Sequence, residues 1–284
     1  MARSRFRRSP DALPPLRLTP RDDAILRDVE RLGPCLVDHL RRLHFPSYKT
    51  AAERAMKLFH HGYLERRPLP ADSGQPAMAH TLAPKGIERL ARKGITARTA
   101  TPSDEPEALA WAVDRADVLV RMIESGRHPG LELPVVQADP PGDGQMPDAL
   151  VVIDMPARLF RRVLLLDVGH PTDGAHALRA RFERWRAWAA RPALEIEQTL
   201  QRHLDARGIS PTPHRARVSI ALVMPDEDAL DRAAVAAVSC GCGALIYLAS
   251  IVAIRAATPL DAVWVQARDR ASNGGQARRT SVLA

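Results

Sequence analysis

Residues 43 to 67 read LHFPSYKTAAERAMKLFHHGYLERR and carry the clearest structural signal in the chain. Phe45 and Pro46 end one helical segment, and Ser47 follows them as a candidate N-cap for the next. Gly62 stands where a helix commonly ends, because glycine tolerates the left-handed backbone conformation of that position. The stretch therefore predicts a helix between Ser47 and Gly62, followed at once by a β-strand.

Two further helices precede this segment. In LTPRDDAILRDVERLG, Thr19 is a candidate N-cap, Pro20 suits the first helical position, and apolar residues recur at helical spacing. Gly33 and Pro34 end that helix, and CLVDHLRRLHF predicts a short second one. Three short helices within about 45 residues are typical of a helix-turn-helix core.

The residues after Gly62 predict a wing. YLERRPL and AMAHTLA are short β-like runs separated by the turn-rich PADSGQP, and PKGIERLARKG predicts a fourth helix. Residues 18–98 are therefore predicted to form a winged helix. In such a domain the third helix enters the DNA major groove with its first residues nearest the bases. A basic, disordered arm is expected at residues 1–17.

Basic residues are concentrated in this first third of the chain. Residues 1–98 hold 20 Lys and Arg against 10 Asp and Glu, whereas residues 99–284 hold 21 against 23. Because Lys and Arg bind phosphates and release counterions, this asymmetry favours double-stranded DNA as the partner. A merely solvated face is the alternative interpretation of the third helix. The candidate DNA contacts on that helix and at the base of the wing are Ser47, Tyr48, Lys49, Arg54, Lys57, Arg66 and Arg67.

The rest of the chain alternates between helical and β-like patterns. A linker at residues 99–106 precedes an amphipathic helix, and the strand-like runs ALVVID and RVLLLDVG follow a loop rich in Pro, Gly and Asp. A helix at AHALRARFERWRAWAA and strands at RVSIALVMP, ALIYLAS and AVWVQA come next. The predicted fold class is α+β with two domains. The second is an α/β domain at residues 107–268, followed by a disordered tail at residues 269–284.

Two aspartates flank the predicted hairpin of ALVVID and RVLLLDVG. Asp148 opens the first strand and Asp167 closes the second, so a hairpin would bring both carboxylates to the same end of the sheet. Such a pair could share Mg²⁺ or Mn²⁺, which would hold a scissile phosphate and lower the pKa of an attacking water. Asp148 and Asp167 are therefore the candidate metal ligands and catalytic residues of a nuclease.

The order of these fragments resembles the replication-relaxation family of bacterial plasmid and mobile-element proteins. The resemblance spans about residues 18–267 and rests on LTPRDDAIL, LHFPSYKTAAERAMKLFHHGYLERR and TLAPKGIERLA, then MPDALVV, LLLDVG, RFERWRAW and TPLDAVWV. It implies an N-terminal winged helix and a C-terminal restriction-endonuclease-like fold of the PD-(D/E)-x-K type. It also implies a role in plasmid replication or mobilisation, with replication or relaxase proteins as partners.

The chain departs from the family pattern at the residues that would carry hydrolysis. The family's second motif is Glu-x-Asp, and its Glu position is Leu165 here. The lysine expected two residues past Asp167 is Gly169, and no lysine occurs after Lys93. Arginine cannot replace it in proton transfer near neutral pH. The sequence thus favours a DNA-binding accessory protein with a non-catalytic nuclease-like domain, with a metal-dependent endonuclease and a winged-helix transcriptional repressor as alternatives.

Cysteine content and hydropathy bear on location. Three cysteines are too few for a disulfide framework, and the cytoplasm is the expected location, without a membrane. The uncharged segment at residues 233–254 is long enough to cross a bilayer, but SCGCG interrupts it. That interruption predicts a helix end, a turn and a buried strand instead. A homodimer is compatible with the sequence, which does not fix the oligomeric state.

Overall fold

A computed structural model gives an α+β protein whose chain divides into two compact units, residues 1–120 and 121–284. The structure describes residues 15–70, 76–95, 105–125, 135–136, 149–155, 160–191, 198, 216–257, 259–260 and 263–281. Most of the predicted arm, wing loop and linker, together with Asp148, lie outside these ranges.

Three helices open the first unit: α1 (Pro20–Leu32), α2 (Val37–His44) and α3 (Tyr48–His60). An antiparallel hairpin of β1 (Leu64–Pro68) and β2 (Met78–Leu82) follows, and α4 (Pro84–Ala91) comes directly after it. The type and order of these elements confirm the prediction from the sequence.

Capping residues set the ends of α1 and α3. Thr19 and Asp22 form a reciprocal capping box, in which Asp22 Oδ2 lies 2.6 Å from the Thr19 backbone nitrogen. Ser47 Oγ caps α3 by accepting a 3.2 Å hydrogen bond from the Thr50 backbone N–H. Gly62 follows α3 with a φ of 81°, a conformation that favours glycine, and turns the chain into β1.

The helices of the first unit pack their apolar sides around the hairpin. Cys35, between α1 and α2, forms a β-bridge with His80 of β2, with N–O distances of 2.7 and 2.9 Å. This bridge fixes the α1–α2 connection to the hairpin. The fully buried side chains of the unit include Ile25, Leu26, Leu32, Leu40, Leu58, Leu64 and Leu90.

The helix predicted to open the second domain, α5 (Pro106–Ser125), lies in the first unit as far as residue 120. Leu109 and Val113 are buried with Ala79 of β2 in one apolar cluster. Farther along, Asp117 accepts a 2.9 Å hydrogen bond from Arg42 of α2. The two units therefore divide within this helix and not in the predicted linker at residues 99–106.

A six-stranded mixed sheet organises the second unit, in the order β3-β4-β5-β6-β7-β8. Its strands are β3 (Val135–Val136), β4 (Ala149–Met155), β5 (Phe160–Val168), β6 (Ala216–Met224), β7 (Ile246–Ser250) and β8 (Val265–Gln266). β4 and β5 form the predicted antiparallel hairpin, with Ala149 opposite Leu166. β5, β6 and β7 run parallel, so their carboxyl ends meet at one edge of the sheet.

Two helices cover the sheet with a shared apolar core: α6 (Ala175–Ala189) and α7 (Glu227–Ser239). Phe182 and Trp185 of α6 are buried in this core with their ring centres 5.9 Å apart in an edge-on arrangement. They pack against the sheet through residues such as Leu165 and Leu222. Both aromatic side chains are thus core residues of the second unit.

The uncharged segment at residues 233–254 is the end of α7, a turn, β7 and the start of α8 (Ile251–Ala256). Gly241 has a φ of 73° and lies in the turn, where the SCGCG sequence interrupts the apolar run. The predicted helix end, turn and buried strand are confirmed. In the part of the chain that the structure describes, every helix is too short or too polar to cross a bilayer.

The predicted disordered tail is instead structured as far as residue 281. α9 (Ala267–Asn273) and a 3₁₀ turn follow β8, and Thr280 forms a β-bridge with Trp264. Arg270 is buried and joins α9 to α7 through Asp231 at 2.5 Å and Glu227 at 3.0 Å. Because Asp231 lies 39 residues earlier in the chain, the local sequence around Arg270 does not reveal this anchor.

Candidate nucleic-acid interface

α3 exposes its first turn and buries its opposite side. Tyr48 is 58% exposed, and Ser47 and Lys49 beside it are also exposed. The side chains of Ala51, Ala55 and Leu58 are buried, as their i, i+4, i+7 spacing predicts. The hydroxyl of Ser47 is used for capping, so it stabilises the start of the helix.

Lys49, Glu53 and Lys57 recur every fourth residue and lie on the exposed side of α3. Together with Tyr48 they form what we call the α3 face. Neither lysine forms an ion pair with a residue that the structure describes. The α3 face therefore offers two ammonium groups, a phenol and a carboxylate to a binding partner.

Arg54 is not part of the α3 face, although the sequence placed it among the DNA contacts. Its Nε lies 2.6 Å from Asp22 Oδ1, its Nη2 contacts Asp22 Oδ2, and Nη2 also donates to the Arg17 carbonyl oxygen at 3.1 Å. Asp22 is fully buried at the start of α1. Because position 54 faces α1, its side chain joins the two helices through a bidentate ion pair.

The pKa values of this pair reflect their mutual contact. Burial raises the pKa of Asp22, but hydrogen bonds from Arg54 and Thr19 outweigh burial and hold that pKa below its ordinary value of 3.8. The hydrogen bond to Asp22 raises the pKa of Arg54. Both groups are therefore charged near neutral pH, and the ion pair is a fixed part of the fold.

The two predicted arginines at the base of the hairpin lie on β1. The Arg66 guanidinium stacks 5.5 Å from the centre of the Phe59 ring, and its Nη1 lies 3.3 Å from Met56 Sδ. Arg67 is half-buried and lies opposite Ala79 of β2. Arg66 thus covers the end of α3 with its side chain while it adds positive charge beside that helix.

The sequence prediction missed a cation on α1. Arg21 is exposed, and its guanidinium carbon lies 5.2 Å from the centre of the Phe45 ring. Arg21 and Lys57 line the same cleft of about 510 Å³ between the start of α1 and α3. Only the tertiary fold brings Arg21 next to α3, so no local pattern in the sequence identifies it.

The predicted acidic site of the second unit contains a guanidinium. Asp167, at the end of β5, has Oδ2 3.3 Å from Arg181 Nε on α6. Nη1 of the same arginine lies 3.0 Å from Asp173 Oδ2, which also accepts a 2.9 Å hydrogen bond from the His170 backbone N–H. The positive charge of Arg181 therefore lies between two carboxylates.

The positions that depart from the nuclease motif are set by packing. Leu165, at the expected Glu position, is 2% exposed and belongs to the core of the second unit. A Cβ atom at Gly169 would come within 2.6 Å of Met224 Sδ, and Met224 is itself buried. A lysine at position 169 would therefore require the Met224 side chain to move.

The carboxylates that the structure describes at the acidic site do not form a ligand set for a divalent cation. Mg²⁺ and Mn²⁺ require several oxygen ligands, whereas Arg181 pairs with one oxygen each of Asp167 and Asp173. Within the described ranges, no three His, Cys, Asp or Glu side chains are grouped so that they could hold a metal ion. Asp148, the other predicted ligand, lies outside the described residues.

Comparison of the chain with models of known protein families, with curated proteins and with solved structures found no match. Function is therefore inferred from the α3 face, its surrounding charges and the contents of the acidic site.

Proposed function

We propose that the protein binds double-stranded DNA through a winged helix in its first unit, with α3 as the recognition helix. The supporting observation is the α3 face, on which Lys49 and Lys57 are exposed and form no ion pair with the described residues. A basic helix face of this kind matches the phosphates of duplex DNA, while Tyr48 at the first turn reaches toward base edges.

The neighbouring elements support this orientation of α3. The helix begins after the exposed Pro46 and Ser47, and Tyr48 and Lys49 of its first turn are exposed as well, so this turn is accessible to a groove. The β1–β2 hairpin follows directly and serves as the wing, with Arg66 and Arg67 on its first strand. The net charge of +10 over residues 1–98 draws this unit toward a polyanion.

The second unit is proposed to keep a nuclease-like fold without hydrolysis. Arg181 forms ion pairs with Asp167 and Asp173, Leu165 stands at the position expected for an acid, and no lysine follows Lys93 in the chain. A guanidinium in this place repels a divalent cation and cannot accept a proton from water. With the family resemblance of its sequence, the chain is then a bacterial accessory protein of plasmid replication or mobilisation, whose second unit serves assembly or backbone contact.

Loss of both lysines of the α3 face should weaken DNA binding about 30-fold. We expect this from roughly 1 kcal/mol for each lost contact, since an exposed lysine on a recognition helix binds a phosphate or a base edge. The measurement is fluorescence anisotropy of a labelled 30-base-pair duplex with the full-length wild type and the Lys49→Ala, Lys57→Ala double variant, at one fixed salt concentration.

The matched control is the Lys85→Ala, Arg92→Ala double variant. It also removes two exposed cations from the first unit, but Lys85 lies on α4 and Arg92 caps the end of that helix. The proposal expects this control to bind within about twofold of the wild type, because α4 does not enter the groove. Equal losses in the two double variants would show that only net charge matters and would remove α3 as the recognition helix.

A metal-dependent endonuclease is the second candidate, since Asp167 lies at a strand end at the edge of the sheet. On our proposal, supercoiled plasmid incubated with the protein and Mg²⁺ or Mn²⁺ stays uncut over hours, because the acidic site holds a guanidinium. The same reaction with a metal chelator serves as the negative control. Nicking that requires metal and disappears in both Asp148→Ala and Asp167→Ala would establish the endonuclease instead.

A further inference from the structure

The cleft between the start of α1 and α3 is positively charged, and part of its charge comes from a residue outside the α3 face. Six of its lining residues matter here: Arg21, Phe45, Thr50, Glu53, Arg54 and Lys57. Arg54 is neutralised by Asp22, so it adds no net charge. The charges of Arg21 and Lys57 exceed that of Glu53, and the cleft keeps a net charge of +1.

Arg21 is held in this cleft by an aromatic ring and not by an acid. Its guanidinium lies 5.2 Å from the centre of the Phe45 ring, and Phe45 is largely buried. Arg21 forms no ion pair with a residue that the structure describes. A guanidinium stacked on a ring keeps its N–H donors free and loses little rotamer entropy when it binds an anion.

We propose that Arg21 and Lys57 bind one phosphate of the DNA backbone in this cleft. The inference rests on the proposed function, because it adds a backbone contact on α1 beside the groove contacts of α3. A phosphate fits this cleft because it accepts hydrogen bonds from a guanidinium and an ammonium group at once. Such a contact fixes the register of α3 on the duplex without reading sequence.

The test is the salt dependence of duplex binding by full-length Arg21→Ala. Loss of one phosphate contact should lower the slope of log K against log salt by about one, and weaken binding at 0.1 M salt about five- to tenfold. The matched control is Arg27→Ala, which removes an exposed arginine of the same helix that contacts the Asp23 carbonyl oxygen. A slope for Arg21→Ala equal to that of Arg27→Ala overturns the proposal.

Two further arms separate the cause of any loss. Phe45→Leu keeps the charge of Arg21 but removes the ring, and should reproduce part of the affinity loss; binding equal to wild type contradicts the positioning role of Phe45.

Thermal melting in inorganic phosphate, against chloride at equal ionic strength, detects free phosphate as the ligand. A phosphate-specific rise in Tm that Arg21→Ala abolishes, with an unchanged DNA slope, also overturns the proposal.

Failure of the phosphate contact can be distinguished from failure of the proposed function. If Lys49→Ala, Lys57→Ala binds DNA like the wild type, then α3 is not the recognition helix and the proposed function fails. If that double variant loses affinity while Arg21→Ala matches Arg27→Ala, only the phosphate contact in the cleft is wrong.

Discussion

Replacing Arg54 by alanine is expected to destabilise the first unit by about 3 kcal/mol. The change leaves the carboxylate of Asp22 fully buried without its bidentate partner, although hydrogen bonds from Thr19 remain. It also removes the link between α1 and α3. Chemical unfolding of the full-length protein followed by circular dichroism measures the loss.

Arg41→Ala is the matched control for this prediction. Arg41 forms an ion pair with Asp38 on the exposed side of α2, at 2.8 Å, and both side chains are more than one third exposed. Such a pair contributes less than about 1 kcal/mol. The double variant Asp22→Asn, Arg54→Met should be more stable than Arg54→Ala, because no buried charge is left alone. A loss in Arg54→Ala no larger than that in Arg41→Ala would contradict the assigned role of Arg54.

The stability of the first unit is expected to fall by about 3 kcal/mol between pH 6.5 and pH 4 because of His80. This side chain is 2% exposed on β2, and its Nδ1 lies 3.3 Å from the Cys35 carbonyl oxygen. Burial, together with the Arg66 guanidinium, lowers the pKa of His80 from 6.5 to about 4.

The sign follows from comparing the two states of the chain. The unfolded state takes up a proton on His80 as the pH falls through 6.5, whereas the folded state resists protonation until about pH 4. The stabilisation is therefore complete above pH 6.5 and is lost progressively down to pH 4. Carboxylates such as Asp22, with a lowered pKa, act mainly below this window.

Urea unfolding at a series of pH values checks this prediction with a variant that cannot titrate. His80→Gln should flatten the dependence on pH between 6.5 and 4, whatever its own cost at neutral pH. His61→Gln, which changes a half-buried histidine of the same unit, provides the control. Equal slopes for His80→Gln and the wild type would mean that His80 does not govern stability in this range.

Local patterns were sufficient to place most elements of the first unit. Thr19, Ser47 and Gly62 mark helix ends through their own side chains or backbone, so the sequence reveals them without tertiary contacts. The same holds for the SCGCG turn after α7. Binary patterning likewise identified the hairpin of β4 and β5.

The errors concern residues whose partners are distant in the chain. Arg54 was predicted to contact DNA because it lies among the exposed residues of α3, but it pairs with Asp22, which lies 32 residues earlier. Distant partners also explain the errors at the tail and at α5. Arg270 in the tail is anchored by an ion pair with α7, and the apolar side of α5 packs against Ala79 of β2. Amphipathic spacing shows that a helix buries one side, but not what it packs against.

The acidic site could be predicted only in outline. The sequence identified Asp167 and the absence of a lysine, but it did not reveal Arg181 as the partner of two carboxylates. Likewise Arg21 was missed, because the Phe45 ring that holds it lies on another part of the first unit. Charge counts cannot distinguish paired from unpaired arginines.

The central claim, that DNA lies on the α3 face, can be measured on the unmodified protein because its lysines number only four: Lys49, Lys57, Lys85 and Lys93. Their acetylation rates, followed by mass spectrometry with and without saturating duplex DNA, report which amines DNA covers. The account predicts that DNA slows acetylation of Lys49 and Lys57 several-fold and leaves Lys85, on α4, and Lys93, just after that helix, unchanged. Equal protection of all four lysines, or protection of Lys85 and Lys93 alone, would contradict it.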